Sequence, residues 1–218
     1  MAPVKVFGLA MSTNVVRVLV CLEEVGAEYE IVNIDFQAME HKSPQHLARN
    51  PFGQIPAFQD GDVVLFESRA IARYVLRKYG KPAGVDLLRE GDLAAAAAVD
   101  VWSEVEAHQY NPAVSTIVYE CLIHPAMFGV ATNQKVVDEN LGKLRKVLDV
   151  YETRLAEHPY LAGDFLSFAD LSHFPYTYYF METPYASLFD AYPRVKAWWE
   201  SIAARPSAKK LAANMSFK

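Results

Sequence analysis

The stretch Asn50–Ile71 limits what this chain can fold into more than any other. It runs Asn50-Pro51-Phe52-Gly53-Gln54-Ile55-Pro56-Ala57-Phe58, then Gln59-Asp60-Gly61-Asp62, then Val63-Val64-Leu65-Phe66-Glu67-Ser68-Arg69-Ala70-Ile71. Pro51 pushes Asn50 out of the α region, so a preceding helix ends there. Ile55-Pro56 heads a short apolar run, and proline is tolerated at a strand entrance, where it removes no central ladder bond. Asp60-Gly61-Asp62 between two apolar runs predicts a β-hairpin. Glu67-Ser68 then opens a helix, with Ile71, Tyr74, Val75 and Lys78 at helical spacing. The Ile55–Pro56 bond is trans or cis. A cis bond turns the preceding backbone outward and leaves Ile55 N–H and C=O for an extended peptide. Glu67 would then add a carboxylate for an ammonium, and Ser68 a helix-start N–H for an anion. An ordinary hairpin and helix with no ligand is the plain alternative.

The order of the other elements completes a fold. Val4–Phe7 reads as a strand, Gly8 to Thr13 as a loop, and Asn14 to Val25 as a helix. Val15, Val18, Leu19 and Leu22 share one helix face, and Gly26 is the stop. Tyr29 to Ile34 alternates into a second strand. Strand, helix and strand of these lengths make a βαβ unit with parallel strands. The hairpin and its helix extend this to a thioredoxin-like sheet with helices on both faces. Gly80 to Gly84 breaks the pattern, and strand signals stop there. Leu88 to Gln109 reads as a long helix with an alanine run of high propensity. Asn133 to His158 reads as a second, stopped by Pro159. Ser167 and Asp170 form a capping box for a third. Tyr192-Pro193 and Arg205-Pro206 start two shorter ones. The fold class is therefore an α/β N-terminal thioredoxin-like domain (1–80), a linker (81–88) and an all-α C-terminal domain (89–218).

Composition excludes several classes of function. A net charge of −5 over 218 residues predicts no nucleic-acid or anionic-membrane binding. No apolar run is long enough to span a bilayer. Met1–Lys5 lacks a signal peptide's apolar centre, and Met215–Lys218 is no peroxisomal or retention tag. The Asn214-Met215-Ser216 sequon is discounted without a secretory signal. Cys21 and Cys121 read as small buried hydrophobes in a reducing cytoplasm. The six histidines show no metal-ligand spacing, so no metal is expected. There is no phosphate-cradling glycine loop.

Arg49–Pro56 and Glu67–Ile71 closely resemble the glutathione-binding half of a cytosolic glutathione transferase of the plant phi class. The likeness continues through Glu40-His41-Lys42-Ser43-Pro44 and nearly to the C-terminus. It implies the glutathione transferase fold, glutathione as co-substrate with no other cofactor, and conjugation of apolar electrophiles, including herbicides, with peroxide reduction as a side activity. It implies that Ser12 carries the catalytic hydroxyl, because Phe7 stands where several classes place a tyrosine. By the same likeness His41 and Lys42 meet the glycine carboxylate, Gln54 and the Ile55 backbone hold the cysteinyl portion, and Glu67 and Ser68 hold the γ-glutamyl end. Met11 and Phe36, with Ile117, Tyr119 and Tyr178 from the helical domain, are candidates for the acceptor pocket, although each also suits a core. Related proteins often carry bulkier aromatics near Ser115 and Thr116, which implies a roomier pocket here. Phe52, on an exposed loop, implies a C2 homodimer interface.

The chemistry asked of Ser12 is feasible. A free thiol has a pKa of about 8.5. Bringing it to about 6.5 favours the anion by roughly 2.7 kcal/mol. A hydroxyl hydrogen bond to a charged acceptor supplies on the order of 1.5–3 kcal/mol, and a helix N-terminus about 0.3–1 kcal/mol. Ser12 would donate to a thiolate rather than act as a nucleophile. From sequence alone it is equally a simple helix cap. A non-catalytic carrier of apolar ligands is the alternative function. A thiol–disulfide or dehydroascorbate reductase is disfavoured, since Met11-Ser12-Thr13-Asn14 places no cysteine at the helix start.

Overall fold

The computed structural model describes residues 3–216. Met1, Ala2, Phe217 and Lys218, part of the terminal stretches read for targeting signals, lie outside the described residues. The chain divides into two compact units. One comprises the residues up to Leu88 together with Lys210–Ser216, and the other is Arg89–Lys209.

In the first unit β1 (Val4–Phe7) pairs in parallel with β2 (Tyr29–Val32), with Val4 opposite Tyr29 and Phe7 opposite Val32. Parallel pairing needs a crossover, supplied by α1 (Thr13–Glu24). β3 (Ala57–Asp60) runs antiparallel to β1 and forms a hairpin with β4 (Val63–Phe66), giving the order β2-β1-β3-β4. The hairpin tip holds Gly61 at φ +59, where a side chain would be strained. α1 is apolar from Val15 to Leu22 except at Arg17, and all these residues are buried. It packs against α3 (Ser68–Val75), which buries Ile71, Ala72 and Val75. α2 is a single turn, Pro44–Leu47.

The boundaries differ in instructive ways. α1 begins one residue early, at Thr13. β2 ends at Val32, not Ile34, because the chain turns on the Asp35 carboxylate, which accepts the N–H groups of Gln37 and Ala38 at 2.8 and 2.9 Å. Ile34 is still buried.

In the second unit the helix expected from Leu88 to Gln109 starts later and runs further. Arg89 sits at φ 56, and the Asp92 carboxylate accepts from Ala94 and Ala95 N–H at 3.0 and 3.2 Å, so α4 spans Leu93–Val105. Helical backbone then continues through a π-helical turn (Glu106–Tyr110), α5 (Asn111–Val118) and a π-helical segment (Tyr119–Phe128) containing Pro125. The wider turns accommodate Pro112 and Pro125, which an unbroken α ladder would exclude. α6 covers Gln134–Arg154, short of the expected His158. α7 (Phe168–Met181) begins on the expected capping box. The buried Asp170 carboxylate also accepts from Leu161 N–H at 3.0 Å and Trp198 Nε1 at 2.9 Å, so its charge is well compensated. Tyr151 donates to His173 Nε2 at 2.9 Å, and His173 Nδ1 donates to the Ala169 carbonyl at 2.7 Å. α8 (Pro193–Ala203) and α9 (Pro206–Ala212), the last residues of which count with the first unit, both start at proline, whose fixed φ suits a first helical position. Cys21 is buried; Cys121 is only partly buried.

Candidate functional site

The predicted polar residues of the first unit lie at the starts of α1 and α3 and on the loops between them. Phe7 is buried at the end of β1, with the Arg49 guanidinium 4.1 Å from its ring centroid. No hydroxyl chemistry is available there. Gly8 follows, packed so closely on α1 that a Cβ would lie 2.5 Å from Val15. Ser12 is the N-cap residue of α1, with extended backbone at φ −68 and ψ 128, and its carbonyl accepts Val16 N–H at 2.8 Å. Its hydroxyl makes no capping bond and has no other partner among the described residues. The half-exposed hydroxyl at the positive end of a twelve-residue helix is thus a donor with no internal acceptor.

The loop before β3 is tightly specified. The Gln54 carbonyl accepts from Asn50 Nδ2 and from His46 Nε2, both at 2.9 Å, so His46 carries its proton on Nε2. Asn50 Oδ1 accepts from Phe52 N–H at 3.1 Å. The Ile55–Pro56 bond is cis. Ile55 N–H and C=O are unpaired among the described residues, while its side chain packs with Val32 and Phe36 against the cluster of Phe7, Ile34 and Ala57.

His41 and Lys42 lie on a 3₁₀ turn, Glu40–Lys42. The His41 ring stacks on Phe36 with centroids 4.3 Å apart and planes 15° from parallel. Burial, and then the neighbouring Lys42 and His46, push its pKa down, so the neutral ring is favoured. Lys42 Nζ donates to the Phe52 carbonyl at 3.0 Å. Gly53, at φ +59, lies so near that a Cβ would sit 2.8 Å from the His41 carbonyl and the Lys42 side chain.

Glu67 has a left-handed backbone, φ 69 and ψ 105, just before α3. Its exposed carboxylate has no partner among the described residues. Strain of this kind in a non-glycine residue persists where the surroundings impose it and collects at functional sites. Ser68 next to it is 7% exposed. Its Oγ accepts from Arg17 Nη1 at 3.0 Å, and the same nitrogen donates to Asn14 Oδ1 at 2.6 Å. Sequence reasoning passed over Arg17, Asn14, His46 and Asn50. The signal for Arg17 was one charge inside the apolar run Val15–Leu22.

The acceptor-side candidates fall in both units. Met11 and Phe36 are half-buried in the first. In the second, Ile117 is fully buried, Tyr119 is 41% exposed and Tyr178 is half-buried. Phe52 is 64% exposed and meets Phe66 edge-on at 6.0 Å. Among the described residues no cluster of His, Cys, Asp and Glu is suited to a metal, and no helix is long and apolar enough to cross a membrane.

Comparison with known proteins fits this arrangement. Residues 2–77 match the family described as Glutathione S-transferase, N-terminal domain, and residues 110–206 match Glutathione S-transferase, C-terminal domain. The chain is 74% identical over 216 residues to "Probable glutathione S-transferase GSTF1" of Oryza sativa subsp. japonica, spanning 99% of this chain and 98% of that protein. It is 60% identical over 215 residues to "Glutathione S-transferase 1" of Zea mays, with the same two coverages. Among solved structures, glutathione S-transferase I from maize in complex with an atrazine–glutathione conjugate superposes with a TM-score of 0.93 at 59% identity, covering 98% of each chain. A glutathione S-transferase I bound to lactoylglutathione gives a TM-score of 0.93 at 58% identity, covering 98% of this chain and all of that one.

Proposed function

This chain belongs to the glutathione S-transferase family, and from that premise we propose how its own residues carry the reaction. The enzyme transfers the glutathione thiolate to an electrophilic carbon on apolar compounds, a detoxifying chemistry. The observation that carries the assignment of roles is the uncommitted Ser12 hydroxyl at the start of α1. Ser12 donates to the glutathione sulfur and, with the helix end, holds it as thiolate while the thiol proton leaves to solvent. The thiolate lone pair then forms the carbon–sulfur bond. In aromatic displacement the halide departs with its bonding pair, and in conjugate addition the neighbouring carbanion takes a proton.

The rest of the site fits the tripeptide from end to end. Ile55 N–H and C=O pair with the cysteinyl backbone, and Gln54 lies beside it. Glu67 pairs with the γ-glutamyl ammonium, and Ser68, at the start of α3, binds that end's carboxylate. Lys42 and the neutral His41 ring bind the glycine carboxylate. Met11 and Phe36 supply apolar surface to the acceptor, whose selection is loose because apolar walls discriminate weakly, whereas Ile117, expected at the pocket, is fully buried and serves the core of the helical unit instead. Exposed Phe52, Val63 and Val64 form part of a C2 homodimer interface. The protein works in the cytoplasm and needs no cofactor beyond glutathione.

The test is titration of bound glutathione, followed by the ultraviolet absorbance of its thiolate. Half-ionisation near about pH 6.5, against about 8.5 for a free thiol, is the expected result. An unshifted thiol, with no conjugation of chlorodinitrobenzene, would leave the protein as a carrier of apolar ligands.

A further inference from the structure

Arg17 is the one charged side chain in the apolar stretch of α1 from Val15 to Leu22, and it is fully buried. A guanidinium removed from water is tolerated only where its donors are matched. Arg17 spans two helix starts: Asn14 lies in the first turn of α1, and Ser68 is the first residue of α3. The first start carries Ser12 and the second follows Glu67.

The bond to Ser68 has a definite polarity. Arginine has donors and no acceptor, so Ser68 Oγ must accept. With a lone pair engaged by a cation, the Ser68 hydroxyl has its proton to give and is a better donor for being polarised. We propose that Arg17 is a positioning residue for glutathione, fixing Ser68 as a hydroxyl donor to the γ-glutamyl α-carboxylate and keeping the start of α3 in register with Ser12. It acts through Ser68 and does not touch the substrate. This rests on the glutathione reading above and adds a residue to it.

The experiment compares two tripeptides on the full-length protein: glutathione, and its analogue in which 4-aminobutyrate replaces the γ-glutamyl residue and so lacks the α-carboxylate. Arg17→Met is expected to weaken glutathione binding about tenfold, as loss of a charge-assisted hydrogen bond does. Analogue binding and the KM for chlorodinitrobenzene should stay within about twofold. Ser68→Ala should show the same selective loss, and Arg17→Met added to it should change binding by less than about twofold, because the effects share one path. A purely structural role for Arg17 would weaken both peptides alike, and that result overturns the proposal. If Arg17→Met does not fold, Ser68→Ala decides: equal weakening of both peptides refutes a carboxylate-directed hydroxyl. Wild-type protein that binds no glutathione would instead refute the underlying reading of the site.

Discussion

Replacing Ser12 by alanine separates a capping role from a thiolate-holding one. A serine whose side chain caps a helix contributes about 1 kcal/mol, and losing that lowers Tm by about 2–4 °C in a chain of this length. Here the hydroxyl makes no cap bond, and the helix begins on the backbone bond from Val16 N–H to the Ser12 carbonyl, which alanine keeps. Ser12→Ala should therefore melt within about 1 °C of wild type. The bound thiolate, however, loses on the order of 1.5–3 kcal/mol of stabilisation, which moves the thiol pKa from about 6.5 up to about 7.6–8.7. At about pH 6.5, where the wild-type thiol is half ionised, kcat/KM for chlorodinitrobenzene should fall roughly 7- to 80-fold with the thiolate fraction. The sign of the pH effect follows. The donor depresses the wild-type pKa, so the deficit is greatest below that value and shrinks as the pH rises through the variant's. Paired melting curves and pH–rate profiles read both quantities. A variant that melts several degrees lower while keeping its activity would refute the reasoning and return Ser12 to a capping role.

Three further outcomes are expected. Burial pushes the Asp60 carboxyl up, but hydrogen bonds from Lys78, Tyr79 and Tyr74 outweigh it and hold it below its usual range. That stability is present above the unfolded-state pKa and is lost as the pH falls through the folded one. Asp60→Asn should thus lower stability at neutral pH by about 1–2 kcal/mol in denaturant titrations, with the gap closing in acid. Gly53→Ala places a Cβ at φ +59 and 2.8 Å from the His41 carbonyl and Lys42, so it should lower Tm and raise the KM for glutathione severalfold, by about 1–2 kcal/mol of strain. Phe52→Ala should shift sedimentation toward monomer with little change in intrinsic protomer folding, since the ring is 64% exposed.

Local chemistry was the part of this fold that its letters disclosed. The hairpin at Asp60–Gly61, the Ser167–Asp170 capping box and the helix starts at Pro193 and Pro206 each depend on a few adjacent residues. The α4 start was missed because Leu88 extends the apolar pattern, whereas the Asp92 side chain and the left-handed Arg89 set the boundary. The π-helical turns leave no periodic trace that differs from an α-helix. At the site, Ser12, Glu67 and Ser68 stood at helix starts and could be singled out. Arg17 and His46 could not, because their roles depend on bonds to Ser68, 51 residues away, and to the Gln54 carbonyl. Helical spacing also cannot separate a buried Ile117 from a more exposed Tyr119, since both lie on one helical run.

The left-handed Glu67 backbone carries a lesson for anyone who sets out to harden this protein against heat. A glycine would relax there at once, and a screen that rewards only melting temperature would select it. The same exchange would delete the carboxylate to which we assign the substrate's ammonium. Endurance and affinity therefore pull in opposite directions at a single peptide unit, and the chain has kept the less comfortable residue.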